Sequence, residues 1–87
     1  MIRIFESAHI EKDARLLPHE IQNKLARLLV CFKENPFDSR LHTKPLSEPL
    51  RGLFAFRITR DWRVIFKFLT PREVLLLRVK HRKDIYR

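Results

Sequence analysis

The chain of 87 residues has one glycine, one cysteine and no long apolar run. A single glycine, Gly52, cannot build a glycine-rich phosphate-binding loop. The single cysteine, Cys31, excludes an internal disulfide and an all-cysteine metal cage, and we interpret it as a small structural residue in a reducing compartment. No stretch approaches the roughly 20 apolar residues of a membrane span, and the first residues lack the apolar core of a signal peptide. The sequence therefore predicts a soluble, cytoplasmic protein with no membrane partner and no cofactor.

The remaining composition is that of one small globular domain covering residues 1–87. The chain is 45% hydrophobic and 33% charged, which lies in the globular range and outside the disordered one. A chain of this length can bury a single core with a modest stability margin.

The charge is concentrated in the C-terminal part of the chain. Residues 51–87 carry 11 Lys and Arg against three acidic residues, a net of +8, whereas residues 1–50 carry 8 against 7, a net of +1; together they give the net charge of +9. A surface with no anionic partner is expected to mix its signs more evenly. The excess therefore indicates an anionic partner, most simply nucleic acid.

The first half of the chain predicts a short strand and two helices. Ile2, Ile4 and Phe5 indicate the strand, Ser7 is suited to cap a helix over about 8–17, and Pro18 ends that helix and can open the next. The second helix runs to Asn35-Pro36. It has one apolar stripe, formed by Ile21, Leu25, Leu28, Leu29 and Phe32.

Residues 36–52 form a connection rich in proline and serine. Its length exceeds the usual for a compact domain, so it is either functional or wrapped on the surface. It contains Lys44, a candidate RNA contact, and His42, which we interpret as a solvated loop residue.

Two strands, over about 53–58 and 62–69, form a hairpin whose register decides which side chains share a face. A loop of Thr59-Arg60-Asp61 places Ile58 opposite Trp62 and makes one face wholly apolar, whereas a two-residue loop mixes charge into both faces. We therefore predict the three-residue loop, with Asp61 in the left-handed conformation. This register sets Arg57 opposite Arg63, which destabilises the sheet unless an anion or a carboxylate lies between them.

A third strand, Val74–Lys80, and a basic tail complete the chain. We predict that Leu75, Leu77 and Val79 face the core and that the alternate residues, Val74, Leu76, Arg78 and Lys80, join the arginine pair. In the tail, His81 can exchange a proton near neutral pH, Arg82 can hold a phosphate and Tyr86 can stack on a base. A merely solvated basic terminus is the alternative. The further candidate RNA contacts are Lys44, Arg78, Lys80, Lys83 and Arg87.

The run LRGLFAFRITRDWRVIFKF, followed by LLLRVKHRKDIYR, resembles the RelE/ParE superfamily of type II toxin–antitoxin toxins, and within it the RelE-type and YafQ-type messenger-RNA interferases. The resemblance covers the whole predicted order of elements. It implies an α+β RelE-like fold, β-α-α-β-β-β with a basic tail, in which two N-terminal helices pack on one face of a small, twisted, mainly antiparallel sheet.

The same resemblance implies a function and a set of site residues. It implies metal-independent cleavage of messenger RNA in the ribosomal A site, contact with ribosomal RNA, and a cognate antitoxin in a hetero-oligomer. Arg57 corresponds to a phosphate anchor, Arg63 to the arginine that stabilises the transition state, and Arg82 to a tail acid or stabiliser. Tyr86 corresponds to the stacking tyrosine and His81 to the tail histidine of YafQ-type enzymes.

One departure from the family pattern affects the predicted chemistry. RelE has a second lysine where this chain has Thr59, and Arg57 is a poor base because a guanidinium keeps its proton at any physiological pH. We therefore expect Arg57 to position phosphate and His81 to carry the proton transfer. The alternatives are a ParE-like inhibitor of DNA gyrase without ribonuclease activity, and a noncatalytic RNA-binding module.

Overall fold

Two helices and five strands make up the computed structural model, which describes residues 1–86. Short 3-10 helices at Ser39–Leu41 and Arg82–Asp84 supplement them. The helices and strands, in chain order, are β1 (Arg3–Glu6), α1 (Ile10–Arg15), α2 (His19–Glu34), β2 (Lys44–Pro45), β3 (Phe54–Arg57), β4 (Trp62–Thr70) and β5 (Glu73–His81). Within residues 1–86, no helix combines the length and the apolar character that a membrane crossing requires.

The strands form one sheet in the order β1-β5-β4-β3-β2. β1 runs parallel to β5, and the other three pairings are antiparallel, so the predicted α+β fold with a mainly antiparallel sheet is confirmed. The sequence did not predict β2, which lies inside the proline-rich connection. Pro45 is tolerated there because β2 is an edge strand, where a missing N–H leaves no ladder bond unmade.

The helices cover one face of the sheet, and the main core lies between the two layers. Phe32 of α2 is fully buried, and its ring centroid lies 5.0 Å from those of both Phe56 and Phe66. The predicted second helix is confirmed, since α2 follows Pro18 and ends before Asn35.

The first helix is shorter than predicted, and Ser7 does not cap it. α1 begins at Ile10, with His9 at its N-cap position. The Ser7 hydroxyl instead donates a 2.7 Å hydrogen bond to the Leu77 carbonyl of β5 and accepts one from the His9 N–H. Ser7 therefore fastens the end of β1 to the sheet.

The hairpin register is confirmed. The Ile58 N–H donates to the Trp62 carbonyl across the three-residue loop. The predicted left-handed conformation of Asp61 is wrong: among residues 1–86 the non-glycine residue with positive φ is His42, at 51°. The loop is shaped instead by the Thr59 hydroxyl, which accepts the N–H groups of Asp61 and Trp62, both at 3.3 Å. The aligned pairs are Phe54 with Phe66, Ala55 with Ile65, Phe56 with Val64, and Arg57 with Arg63.

The predicted faces of β5 are partly wrong because the strand contains a bulge. Ile65 pairs with Arg78 and Phe66 with Leu76, which leaves Leu77 without a partner on β4. One extra residue reverses the alternation along a strand. Before the bulge, Val74 and Leu76 therefore face the helices and are buried, whereas Leu75 and Leu77 do not belong to the main core. After it, Val79 faces the helices as predicted.

A second, smaller core covers the other face of the sheet. Three partly buried leucines pack against this core: Leu50 of the 36–52 connection, Leu53 just after it, and Leu77 of β5. The connection is thus wrapped on the surface of the sheet. The buried members of this core are Leu46, Ala55, Ile65 and Ile85.

Candidate active site

A row of three cationic residues crosses the sheet on the face opposite the helices. Arg57 of β3 lies opposite Arg63 of β4, and Arg63 lies opposite Lys80 of β5. The Nε atoms of both arginines are buried and have no hydrogen-bond partner among residues 1–86. Like charges directly opposed across strands destabilise a sheet, so this row is a costly arrangement for the free protein.

Asp61, just before β4, and Glu73, at the start of β5, are each paired with another arginine. A carboxylate oxygen of Glu73 lies 3.6 Å from a guanidinium nitrogen of Arg3, and a carboxylate oxygen of Asp61 lies 3.4 Å from Nε of Arg82. Within residues 1–86, neither Arg57 nor Arg63 forms an ion pair with a carboxylate.

The surroundings of Arg63 disfavour its positive charge. Burial lowers the pKa of its guanidinium, and the positive charges of Arg57 and Arg82 lower that pKa further. An arginine keeps its proton at any physiological pH, so the side chain stays charged and under-solvated. A bound anion would offset both the cost of desolvation and the repulsion between the cations.

A cleft of about 400 Å³ opens beside Arg63. Its floor is apolar and belongs to the second core, whereas its rim is cationic and aromatic. The cleft brings together five of the predicted site residues. Its lining consists of Lys44, Leu46, Ala55, Arg63, Arg82, Lys83, Ile85 and Tyr86.

The tail reaches the cleft because Asp61 and Ile85 hold it there. The Arg82 N–H donates a 2.8 Å hydrogen bond to the Asp61 carbonyl, and the Arg82 guanidinium pairs with the Asp61 carboxylate. Ile85 is buried in the second core. Since these anchors lie on either side of Lys83, the backbone of the tail is held against the sheet beside the cleft.

His81 does not line the cleft. It pairs with Trp62, and its ring meets the Trp62 ring edge-on with 5.3 Å between centroids. Trp62 packs on the main core, as predicted, so His81 lies on the helix side of the sheet, away from Arg63. Its Nδ1 accepts the Lys83 N–H at 3.2 Å, which leaves the proton of the neutral ring on Nε2.

Tyr86 is tied to the connection before β3. Its hydroxyl oxygen accepts hydrogen bonds from the Ser47 N–H at 3.0 Å and from the Ser47 hydroxyl at 3.2 Å. These two bonds lower the pKa of the phenol, the positive charge of Lys44 lowers it further, and partial burial opposes the change.

Two predicted RNA contacts lie away from this cleft or outside the described residues. Arg78 makes a bidentate ion pair with Asp13 of α1, at 2.7 and 3.1 Å, and Asp13 also accepts the Val79 N–H. Arg78 therefore connects α1 to β5. Arg87 lies outside residues 1–86.

Sequence reasoning missed the cleft floor and Ser47. The spaced leucines of the connection and the lone apolar Ile85 in a basic tail were a usable signal for a second core. No feature of the sequence pointed to Ser47, because one of its two hydrogen bonds to Tyr86 is donated by the backbone N–H. No group of three or more His, Cys, Asp or Glu side chains in residues 1–86 is placed to hold a metal ion.

No family model matches the chain, and no curated protein matches it. Solved structures do match. YafQ from E. coli strain BL21(DE3) has a TM-score of 0.79 and 23% identity over 100% of both chains. The RelE–RelB complex from the archaeon Pyrococcus horikoshii OT3 has a TM-score of 0.77 and 18% identity over 95% of this chain and 97% of the other.

A third structure, described as a YoeB/ParE toxin from Agrobacterium tumefaciens, has a TM-score of 0.78 and 15% identity over 93% of this chain and 99% of its own. All three cover nearly the whole length of both partners. The chain therefore has the fold of the RelE/ParE superfamily toxins and resembles YafQ and RelE, as its sequence predicted.

Proposed function

We propose that this chain is the toxin of a type II toxin–antitoxin system and a ribosome-dependent endoribonuclease that cuts messenger RNA in the A site. The observation that carries the proposal is the pair of opposed arginines, Arg57 and Arg63, which form no ion pair with a carboxylate of residues 1–86 and lie beside a cationic cleft. A protein that only needed to fold would gain stability by losing one of these charges. A phosphate diester bound at the pair supplies the missing counter-charge.

The proposed reaction is attack of the ribose 2′-hydroxyl on the adjacent phosphate, giving a 2′,3′-cyclic phosphate and a free 5′-hydroxyl. The phosphorane that forms carries more negative charge than the diester, so cations fixed next to it lower the barrier. Arg57 anchors the phosphate, Arg63 stabilises the phosphorane and Arg82 contributes a third positive charge. We propose that these side chains make the reaction independent of a metal ion.

The remaining cations extend the site along the RNA backbone. Lys80 continues the arginine row on β5, and Lys44 and Lys83 line the cleft. We propose that they contact phosphates of the message and of ribosomal RNA, so that binding weakens steeply as salt rises. The role of His81 in proton transfer stays a prediction. Its ring packs against Trp62 and does not line the cleft beside Arg63.

We also propose a cognate antitoxin as partner, in a hetero-oligomer in the cytoplasm. Solved neighbours include YafQ in a DinJ–YafQ toxin–antitoxin complex and YoeB in a YoeB–YefM complex. This chain has a groove of about 660 Å³ between β1 and α2 in which Met1 and Val30 are largely exposed. That groove is separate from the cleft and offers apolar area to a second protein.

The experiment that tests the function is a map of messenger-RNA 5′ ends after brief induction of the protein. Codon-phased cuts inside translated frames, absent with an Arg63→Ala variant, are the expected result. Growth arrest with intact messages would contradict the proposal and point to the gyrase-inhibiting alternative. Intact messages and normal growth, with RNA binding retained, would indicate a noncatalytic binding module.

A further inference from the structure

The hydrogen bonds at Tyr86 leave its own proton free. The phenol oxygen accepts from the Ser47 N–H and from the Ser47 hydroxyl, at 3.0 and 3.2 Å. With both Ser47 groups donating, the single hydrogen of the Tyr86 hydroxyl is not used in either bond. The side chain is half exposed and lines the same cleft as Arg63, so this hydrogen is available to a molecule bound there.

We infer that the Tyr86 hydroxyl is the general acid of the cleavage reaction and that Ser47 is the positioning residue that prepares it. The inference rests on the proposed ribonuclease function. It assigns the hydroxyl a role that stacking of the ring on a base does not require.

The step balances within the RNA and this side chain. The 2′-oxygen bonds to phosphorus and passes its proton to water. The bond between phosphorus and the 5′-oxygen breaks, its electron pair stays on that oxygen, and the Tyr86 proton moves to it. The phenolate that remains takes a proton from solvent, so the protein is unchanged after each cut.

The surroundings of Tyr86 favour this role because they stabilise the phenolate. Both Ser47 donors point at the oxygen that gains the charge, and they lower the pKa of the phenol, as does the charge of Lys44. A donor aimed at the site where charge develops is the usual arrangement for electrostatic stabilisation.

Other side chains near the cleft are less suited to donate this proton. Arg63 and Arg82 line the cleft but hold their protons too strongly. The His81 ring lies against Trp62, on the other side of the sheet. Lys44 and Lys83 also line the cleft, but within residues 1–86 no hydrogen bond fixes either ammonium group.

The first test uses programmed ribosomes and two messages, one ordinary and one with sulfur in place of the 5′-oxygen at the cut. A thiolate leaves without being protonated, so loss of the acid matters little for the second message. We expect Tyr86→Phe to slow single-turnover cleavage of the ordinary message by about 100-fold or more and to cut the sulfur message within a few-fold of wild type.

Tyr86→Phe keeps the aromatic ring, so base stacking survives in this variant. Normal cleavage of the ordinary message, or equal loss on both messages, would overturn the acid role while leaving the proposed ribonuclease in place. A wild-type protein that cuts neither message would overturn the proposed function together with the acid role.

The second test follows Ser47 through the absorbance of the chain's single tyrosine. Ser47→Ala removes one of the two donors, and we expect the phenol to titrate at higher pH and ordinary cleavage to slow by about 5-fold, the effect of one hydrogen bond. Ser47→Thr restores both. Ser39→Ala is the matched control, because the exposed Ser39 hydroxyl makes no hydrogen bond within residues 1–86. An unshifted tyrosine titration in Ser47→Ala would overturn the positioning role.

Discussion

Arg57 and Arg63 lie directly opposite each other on β3 and β4, each with a buried Nε that finds no hydrogen-bond partner in the described residues. Lys80 continues the row, and the carboxylates of Asp61 and Glu73 are paired with other arginines. In the part of the chain that the structure describes, Arg57 and Arg63 therefore lie together without forming an ion pair with a carboxylate. This arrangement is understandable if a phosphate completes it.

Replacing Arg63 with alanine is expected to abolish growth arrest and leave the fold intact, because its side chain lies off the main core. Circular dichroism and the melting temperature check the fold, and growth after induction checks the activity. Arg72→Ala is the matched control: it removes the same charge from the exposed turn between β4 and β5. Normal toxicity of a folded Arg63→Ala protein would contradict the proposed site.

Inorganic phosphate is expected to raise the melting temperature of the wild-type protein, because an anion that binds the folded state stabilises it by mass action. Chloride at the same ionic strength should raise it less. The difference between the two salts should shrink in Arg63→Ala, whose cation row is interrupted, and persist in Arg72→Ala. Equal responses of wild type and Arg63→Ala would show that the row does not bind the anion.

Replacing Phe56 with alanine is expected to lower the free energy of unfolding by about 3–5 kcal/mol. Phe56 is fully buried, and its ring packs against that of Phe32. Urea denaturation measures the loss. Leu16→Ala, which truncates a residue that is 78% exposed, should change little. An unchanged melting temperature for Phe56→Ala would contradict the hairpin register.

Replacing Asp13 with asparagine is expected to lower the free energy of unfolding by about 1–3 kcal/mol, because Arg78 loses its ion pair and the Val79 N–H a charged acceptor. Urea denaturation at neutral pH measures the change. Glu11→Gln, an exposed acidic residue on the same helix, is the control.

The same ion pair predicts an acid dependence. Burial alone would raise the pKa of Asp13, but the hydrogen bonds from Arg78 and Val79 and the charge of Arg78 outweigh it and lower that pKa. A carboxyl whose pKa is lower in the folded state stabilises the fold above its unfolded pKa and loses that contribution as pH falls through the folded value. Wild-type stability should therefore fall more steeply than that of Asp13→Asn below about pH 4.

His81 is expected to tolerate asparagine better than alanine in cleavage assays. The Asn side-chain oxygen can accept the Lys83 N–H that His81 Nδ1 accepts now. The short 3-10 helix Arg82–Asp84 would then keep a side-chain cap at its N-terminus. Alanine should loosen the tail and slow cleavage. The fluorescence of the single tryptophan, Trp62, monitors packing at this position. Equal, severe losses in both variants would indicate that His81 itself transfers a proton.

Local patterns sufficed for α2 and the hairpin because burial left one solution in each. In the hairpin, a slip of one residue would have placed Arg57 opposite Val64 and mixed charge into the core face. The observed pairs, with Phe56 opposite Val64, follow from that constraint alone.

The strand β5 could not be assigned in the same way. Val74, Leu75, Leu76 and Leu77 are all apolar, so neither phase of the alternation was excluded, and the bulge at Leu77 is set by pairing with β4. Asp61 was mispredicted for a similar reason, since the Thr59 hydroxyl offers the loop an alternative to left-handed geometry.

The candidate site was predictable in its members more than in its arrangement. Arg57, Arg63 and the tail residues were found from the register and from the resemblance. The cleft depends on contacts between segments distant in the chain, such as Ile85 with Leu46 and Tyr86 with Ser47. The types of the residues alone do not predict such contacts, because the contacts depend on how residues 36–52 pack on the sheet.

The pairing of β1 with β5 has a consequence for how the chain is made. β1 is synthesised first, yet its neighbour in the sheet is the last strand to be synthesised. Contacts between distant parts of a chain form slowly and late in folding. The cation row takes Lys80 from the same strand, so the row and the sheet can be completed only after β5 has been synthesised. A nascent chain that stops short of β5 therefore lacks both Lys80 and the sheet partner of β1.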